Sequence, residues 1–144
     1  MNAKDTLNDS ILNDLKKRAN TIRKDIIEMI YSAKSGHPGG SLSSADIVTA
    51  LYFHIMNHNP KDPFWAGRDR FILSKGHACP SLYAALAESG YFDVSELKNL
   101  RKPKCLLQGH PCTMTPGIEI STGSLGQGLS IATGIALGLR LDGS

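Results

Sequence analysis

The chain has 144 residues, a formal net charge of +3 and 41% hydrophobic residues, a composition ordinary for one globular domain with a buried core. The charge is too small to predict a nucleic-acid partner, although a modest positive balance suits a small phosphorylated ligand. The basic residues near the start are scattered over a polar helix face and should be solvated: Lys16, Lys17, Arg18, Arg23 and Lys24.

The first predicted element is a long helix over Thr6–Ala33, because apolar side chains recur there every four positions. The glycines and proline of Gly36–Ser41 should end that helix. A second helix is expected to begin near Ser43, and the prolines of Asn57–Gly67 predict a loop after it. The inner face of the second helix would consist of Ala45, Val48, Tyr52 and Ile55.

The middle of the chain contains the clearest predicted β-strand, Arg70–Ser74, which is short and apolar. A helix over Pro80–Glu88 should follow and stop at Gly90. Ser95–Leu100 is predicted as a short helix capped by its own serine, and the prolines of Lys102–Gly117 predict another loop.

The last predicted element is a helix over Leu125–Leu141 that is rich in small residues. Each glycine inside a helix costs about 1 kcal/mol relative to alanine, so we expect close packing against another backbone in compensation. This stretch is too short and too polar to cross a bilayer, and the first residues lack the apolar core of a signal peptide. No membrane partner is expected.

This order of elements predicts the α/β class. Besides the strand Arg70–Ser74, only Ile118–Ile120 is a second candidate, whereas a parallel sheet needs several strands. We therefore predict that residues 1–144 form one incomplete domain, the helix-rich opening part of an α/β fold with an incomplete parallel sheet. An exposed strand edge favours association, so a homo-oligomer is expected.

The cysteines indicate a reducing compartment, because an odd number without a Cys-x-x-Cys pair is typical of free thiols. The expected location is the cytoplasm. Cys105, His110 and Cys112 lie close in sequence, but their spacing is not that of a zinc site. A nucleophilic Cys112 beside His110 is disfavoured, because neighbours in sequence rarely form a working dyad.

Three histidines directly follow a glycine, namely His37, His77 and His110. Glycine allows a ligand to approach the backbone closely, and imidazole gains and loses a proton near neutral pH. His77 also follows the predicted strand, and ligands of open α/β sheets bind at strand ends. Together the pairs predict loops that direct imidazoles at one point, although each alone is compatible with an ordinary turn.

A glycine-rich segment, Ser121–Gly128, leads directly into the last helix. Amides at a helix start beside flexible glycines favour an anion. The Gly-x-x-Gly-x-Gly spacing is not the dinucleotide fingerprint, and no nucleoside triphosphate loop is present. By spacing alone, a ligand-binding loop and a structural turn are equally compatible with it.

In this order, the motifs resemble the N-terminal, diphosphate-binding part of the transketolase family, from about Leu15 onward. The Ser35–Ser43 segment is most similar to split transketolases, in which N- and C-terminal subunits are separate chains. The matching stretches are Ser35–Ser41, Asn59–Arg70, Ile72–His77, Gly109–Pro111, Pro116–Glu119 and Thr122–Gly128.

The resemblance implies a thiamine diphosphate site with Mg²⁺ or Ca²⁺, and transfer of a two-carbon ketol unit from a ketose phosphate to an aldose phosphate in the pentose phosphate pathway. His37 and His110 would be catalytic and would move protons at the substrate. The cofactor would be bound by His77, Gly123, Ser124 and Leu125.

Departures from the family also have consequences. Ser124 stands where the family usually has proline, which is a mild change. The family's Gly-Asp-Gly metal motif is absent, and Asp142-Gly143 does not replace it, so the metal ligands are expected beyond residue 144. The domain that holds the aminopyrimidine is also absent. The resemblance therefore implies a C-terminal transketolase subunit or domain as partner, without which the chain should be inactive.

Two other functions remain open from the sequence. The chain could be a non-catalytic remnant that only assembles with a partner. It could also belong to another thiamine diphosphate enzyme, such as a dihydroxyacetone synthase or a deoxyxylulose-phosphate synthase. Gly109–Pro111 and Gly123–Gly128 favour the transketolase alternative.

Overall fold

The computed structural model describes residues 7–143, whose regular structure consists of helices. The α-helices are α1 (Asp9–Ala33), α2 (Pro38–Leu42), α3 (Ala45–Ala50), α4 (Cys79–Glu88) and α5 (Gln127–Leu141). A π-helical turn, Leu51–Ile55, continues α3, and 3₁₀ turns cover Gly76–Ala78 and Val94–Asn99. None of the helices described is long and apolar enough to span a bilayer.

Helix α1 confirms the predicted long helix, although its predicted first residue, Thr6, lies outside the described residues. It begins after Asn8, whose side-chain oxygen accepts the Ile11 N–H at 3.0 Å and so caps the first turn. It ends at Ala33, and the capping residue Lys34 adopts the left-handed conformation. One apolar stripe is buried: Ala19, Ile22, Ile26 and Met29.

Helix α4 forms the centre of the core, and every residue from 79 to 87 is buried. Helices α1, α2 and α3 and the 3₁₀ turn Val94–Asn99 pack around it. The prediction of a helix over Pro80–Glu88 is confirmed, and Gly90 follows it with a φ of 91° that favours glycine. A helix buried on all sides is a rigid base for the loops at its N-terminal end.

The segment between α1 and residue 55 differs from the prediction. Helix α2 begins inside the predicted break, because Pro38 has the φ that suits a first helical turn. Helix α3 begins at Ala45 rather than near Ser43. Ile55, predicted to face inward, is exposed. The π-helical turn explains this, since its Met56 N–H to Leu51 O bond adds a residue to the turn and rotates the following side chains.

Two helix boundaries also differ slightly from the prediction. The cap of the 3₁₀ turn Val94–Asn99 is Asp93, whose Oδ1 accepts the Ser95 N–H at 2.7 Å, and not Ser95 itself. Helix α5 begins at Gln127, two residues after the predicted start. The predicted loops Asn57–Gly67 and Lys102–Gly117 are confirmed, since neither contains an α-helix or a strand.

No β-strand is formed between residues 7 and 143, so the incomplete parallel sheet is not confirmed. Arg70–Ser74, which was predicted as a strand, and Ile118–Ile120, the second candidate, are irregular. A strand requires a neighbour that pairs with it through a ladder of backbone bonds, and no other described segment supplies that ladder.

Helix α5 packs closely at its first turn only. An added Cβ at Gly128 would lie 2.7 Å from Ser74 Cα, whereas Gly134 and Gly138 have nothing within 4 Å. The predicted close packing is therefore confirmed at Gly128, whereas nothing within residues 7–143 packs against the two later glycines. A groove of about 670 Å³ separates α5 from residues 66–72, and apolar side chains of the helix are exposed: Leu129, Leu137 and Leu141.

Asp25 makes the stability of the fold depend on pH. Burial, then the carboxylates of Glu88 and Glu28, raises its pKa to about 6, and its Oδ2 is buried without a hydrogen-bond partner among the described residues. The folded state therefore binds more protons than the unfolded state between about pH 4 and pH 6, and stability falls as pH rises through that window.

We expect Asp25→Asn to raise the unfolding free energy by about 1 kcal/mol at about pH 8, after allowance for solvent screening. Below about pH 4 the difference should vanish, because both side chains are then neutral. Urea unfolding at several pH values measures this. Asp62→Asn, on an exposed loop, is the control, and an equal gain at every pH would contradict the assignment.

Candidate functional site

The structure brings His37 and His77 together. Their ring centroids are 5.0 Å apart, with the rings edge to face. His37 precedes α2 and is exposed, whereas His77 is half-buried in the 3₁₀ turn that leads into α4. The position of a Cβ on Gly40 would lie 3.2 Å from His77 Nε2. Glycine at position 40 therefore leaves the space that the His77 ring occupies.

Lys75 joins the two segments that carry these histidines. Its Nζ donates hydrogen bonds to Gly40 O at 2.6 Å and to Ser43 Oγ at 3.0 Å. These bonds hold α2 against the turn that contains His77. Lys75 was not predicted as a site residue from the sequence, although its place in the Ser-Lys-Gly-His run was the available signal.

The glycine-rich segment lies against the His77 turn. Thr122 Oγ1 donates to Leu73 O at 2.8 Å, and the Gly126 N–H donates to Ser74 O at 3.0 Å. An added Cβ at Gly76 would lie 2.7 Å from Thr122 O. Only a residue without a side chain allows this approach, which brings the loop Gly123–Leu125 to the same region as His77.

His110 is held near the glycine-rich segment by a residue of α4. The one hydroxyl proton of Tyr83 in α4 is shared between His110 O at 2.8 Å and Gln108 O at 3.0 Å, and burial raises the Tyr83 pKa so that the hydroxyl keeps this proton. The position of a Cβ on Gly123 would lie 4.0 Å from His110 Cδ2. The three histidine loops and the glycine-rich segment therefore converge at the N-terminal end of α4.

The loop Gly123–Leu125 presents unused backbone donors. Among the described residues, no acceptor bonds the N–H groups of Gly123, Ser124 or Leu125, and all three residues are exposed. The amides of Gly126 and Gln127, by contrast, bond to carbonyls of the chain. The free donors therefore lie just before α5 rather than in its first turn. Successive free amides are suited to an anion.

A buried ion pair fixes the segment that precedes this loop. Arg68 donates from Nε and Nη2 to the two Glu119 carboxylate oxygens at 2.7 and 2.9 Å, and Arg70 Nη1 lies 3.8 Å from Glu119 Oε2. The side chains of Arg68 and Glu119 are only 13% and 14% exposed. This clamp ties residues 118–120 to residues 68–70, and it was not predicted from the sequence.

The donor set fits the diphosphate that the resemblance implies better than it fits a metal ion. Free amides and an imidazole bind phosphate oxygens, and Ser74 Oγ is buried beside the site without a partner in the described part of the chain. Within residues 7–143, no cluster of three His, Cys, Asp or Glu side chains is placed to hold a metal. Burial raises the pKa of the Cys79 thiol to about 12, which makes it a poor nucleophile.

Comparison with known families gives one match that spans most of the chain. Residues 15–141 match the family model described as transketolase, thiamine diphosphate binding domain.

Curated relatives include a 6-deoxy-6-sulfo-D-fructose transketolase subunit from Clostridium sp. (strain MSTE9), 50% identical over 90% of this chain and 47% of the relative. An apulose-4-phosphate transketolase subunit from Phocaeicola vulgatus is 43% identical over 83% of this chain and 43% of its own length. The chain thus spans less than half of the length of these relatives. The human transketolase is 46% identical, with 87% of this chain and 20% of that protein covered.

Solved structures give the same result. A transketolase from Pichia stipitis, in complex with sedoheptulose 7-phosphate, superposes with a TM-score of 0.82 at 45% identity, over 85% of this chain and 18% of that one. Transketolase from Campylobacter jejuni gives a TM-score of 0.81 at 45% identity, over 90% and 20% of the two chains.

Proposed function

Because the chain belongs to the transketolase family, we propose that it supplies the diphosphate-binding side of a site that transfers a two-carbon ketol unit between sugar phosphates. One observation carries the proposal: His37, His77, His110 and the free amides of Gly123–Leu125 lie around one region. Two relatives that are themselves named as transketolase subunits support a separate C-terminal partner chain.

In the proposed mechanism, the bound thiamine diphosphate supplies the electron sink that ketol transfer needs. The N–H groups of Gly123, Ser124 and Leu125, with the His77 imidazole, would hold its diphosphate. A divalent cation, Mg²⁺ or Ca²⁺, would need ligands from outside residues 7–143, since the described side chains offer no cluster for it.

His37 and His110 are the proposed proton carriers. Both residues are exposed, so their rings are accessible to a substrate in the region around which the loops converge. A neutral imidazole nitrogen can take a proton from a sugar hydroxyl and return it later, and imidazole is suited to this near neutral pH. The half-buried His77 is the one of the three that is better placed to bind than to exchange protons.

The assembly is also part of the proposal. The exposed leucines of α5 and the groove beside residues 66–72 are apolar surfaces that a partner subunit or a second copy would cover. The three unpaired cysteines support a reducing, cytoplasmic location.

Calorimetric titration with thiamine diphosphate and Mg²⁺, with and without a C-terminal transketolase subunit, tests the function. We expect cofactor binding and ketol transfer from a ketose phosphate to an aldose phosphate when the partner subunit and the metal ligands from outside residues 7–143 are both present. Binding without any transfer would favour a non-catalytic assembly role, and no binding under either condition would contradict the proposal.

Within that system, His77→Asn should raise the Kd for thiamine diphosphate about tenfold, the effect of losing one hydrogen bond to a charged phosphate. His54→Asn, in the π-helical turn Leu51–Ile55, is the matched control and should leave the Kd unchanged. An unchanged Kd for His77→Asn would remove His77 from the diphosphate site.

A further inference from the structure

Arg101 is held in an unusual backbone conformation next to the site. Its φ is 62°, in the left-handed region that side chains other than glycine rarely adopt. Its N–H donates to Leu107 O at 2.8 Å and fixes this turn. Such a conformation persists only where the surrounding structure imposes it, and it is often found where a side chain has a functional task.

The guanidinium of Arg101 touches two of the histidine loops at once. One nitrogen, Nη1, donates to Ser35 Oγ at 2.8 Å, and Ser35 lies two residues before His37. The rest of the group covers Gly109, the residue before His110. A Cβ on Gly109 would lie 3.0 Å from Arg101 Cζ and 3.1 Å from its Nη2. A planar guanidinium therefore fills the gap between the two loops.

Ion pairing does not explain this placement. Within residues 7–143, four arginines form ion pairs with carboxylates: Arg18, Arg23, Arg68 and Arg70. No described carboxylate pairs with Arg101. Arg101 is also exposed, so the single hydrogen bond of its side chain adds little to the stability of the fold. What remains is geometry, because the Arg101 side chain contacts Ser35 and Gly109, which are close neighbours of His37 and His110 in the chain.

We propose that Arg101 is a positioning residue that sets the separation of His37 and His110. The inference rests on the proposed function, in which these two imidazoles exchange protons with one substrate. Proton transfer depends on the placement of the imidazole to within a fraction of an ångström. The requirement for a flat group against Gly109 also explains why position 109 carries no side chain.

Four variants in the intact protein with its partner subunit test the proposal. Arg101→Met should lower kcat about tenfold and change the KM for the sugar phosphate less than twofold. Arg101→Lys should not restore activity, because a compact ammonium cannot cover Gly109 and reach Ser35 together. Gly109→Ala should reproduce the defect by displacing the guanidinium. Arg23→Met, whose arginine pairs with Asp46 on the surface, should leave kcat unchanged.

Histidine-ring NMR spectra give a readout that does not depend on turnover. Arg101→Met should move the ring resonances of His37 and His110 and leave those of His54 unchanged. Unmoved resonances would overturn the proposal, even if the enzyme proved to have a different activity. A higher KM with unchanged kcat would also overturn it, since that pattern indicates a substrate anion bound by Arg101 and not a positioned pair of histidines.

Discussion

Replacing Glu119 with glutamine is expected to lower the unfolding free energy by about 3 kcal/mol, because it leaves a buried arginine without its counter-charge. Arg68 donates two hydrogen bonds to the Glu119 carboxylate, and Arg70 lies at ion-pair distance from the same carboxylate. Once the carboxylate is neutral, two guanidinium groups face each other across the clamp with little solvent to screen them.

Urea unfolding followed by circular dichroism measures this loss. The control is Asp14→Asn, which removes a salt bridge to Arg18 on the exposed face of α1 and should cost less than about 0.5 kcal/mol. A loss for Glu119→Gln as small as that of the control would show that water screens the clamp. The variant should also weaken cofactor binding, because residues 118–120 lead directly into the loop Gly123–Leu125.

Gly76→Ala is expected to cost about 2 kcal/mol of stability, through overpacking at a site that cannot yield. The new Cβ would meet Thr122 O at 2.7 Å and Thr122 Oγ1 at 2.9 Å. The first of these atoms belongs to the backbone, and the second is held by its bond to Leu73 O. The glycine-rich segment must therefore move away from the His77 turn, so thiamine diphosphate binding should weaken at least tenfold.

The control for this substitution is Gly134→Ala in α5, where an added Cβ meets nothing within 4 Å. There, alanine should stabilise the protein by about 0.5–1 kcal/mol through its higher helix propensity. Urea unfolding measures the change in unfolding free energy for both variants. Changes of opposite sign would confirm that the close approach of the Thr122 backbone, and not helix propensity, determines the effect of alanine at Gly76. A stabilised Gly76→Ala variant would contradict the close contact with Thr122.

The helical part of the fold could be predicted from the sequence where local rules act alone. Regular apolar spacing predicted α1, and an apolar run ended by Gly90 predicted α4. The strand predicted at Arg70–Ser74 and the second candidate at Ile118–Ile120 are not formed among the described residues, for a physical reason. An apolar, β-branched segment becomes a strand only when another segment pairs with it.

The residues of the candidate site also fall into two groups, those that could be predicted from the sequence and those that only the structure shows. Each of the histidines and the glycine-rich segment was visible as a local pattern, because glycine next to a functional residue is recognisable in any sequence. The groups that hold them together were not. Lys75 reaches Gly40 across 35 positions, and Arg101 reaches Ser35 across 66.

The sequence by itself determined the long helices, the glycine–histidine pairs and the likeness to one family, because these depend on residues near one another in the chain. Only the tertiary structure decided that the loops of His37, His77 and His110 meet at the N-terminal end of α4, and which side chains fix them there. The reason is that hydrogen bonds and ion pairs between distant segments depend on how the helices pack. No local periodicity encodes that packing.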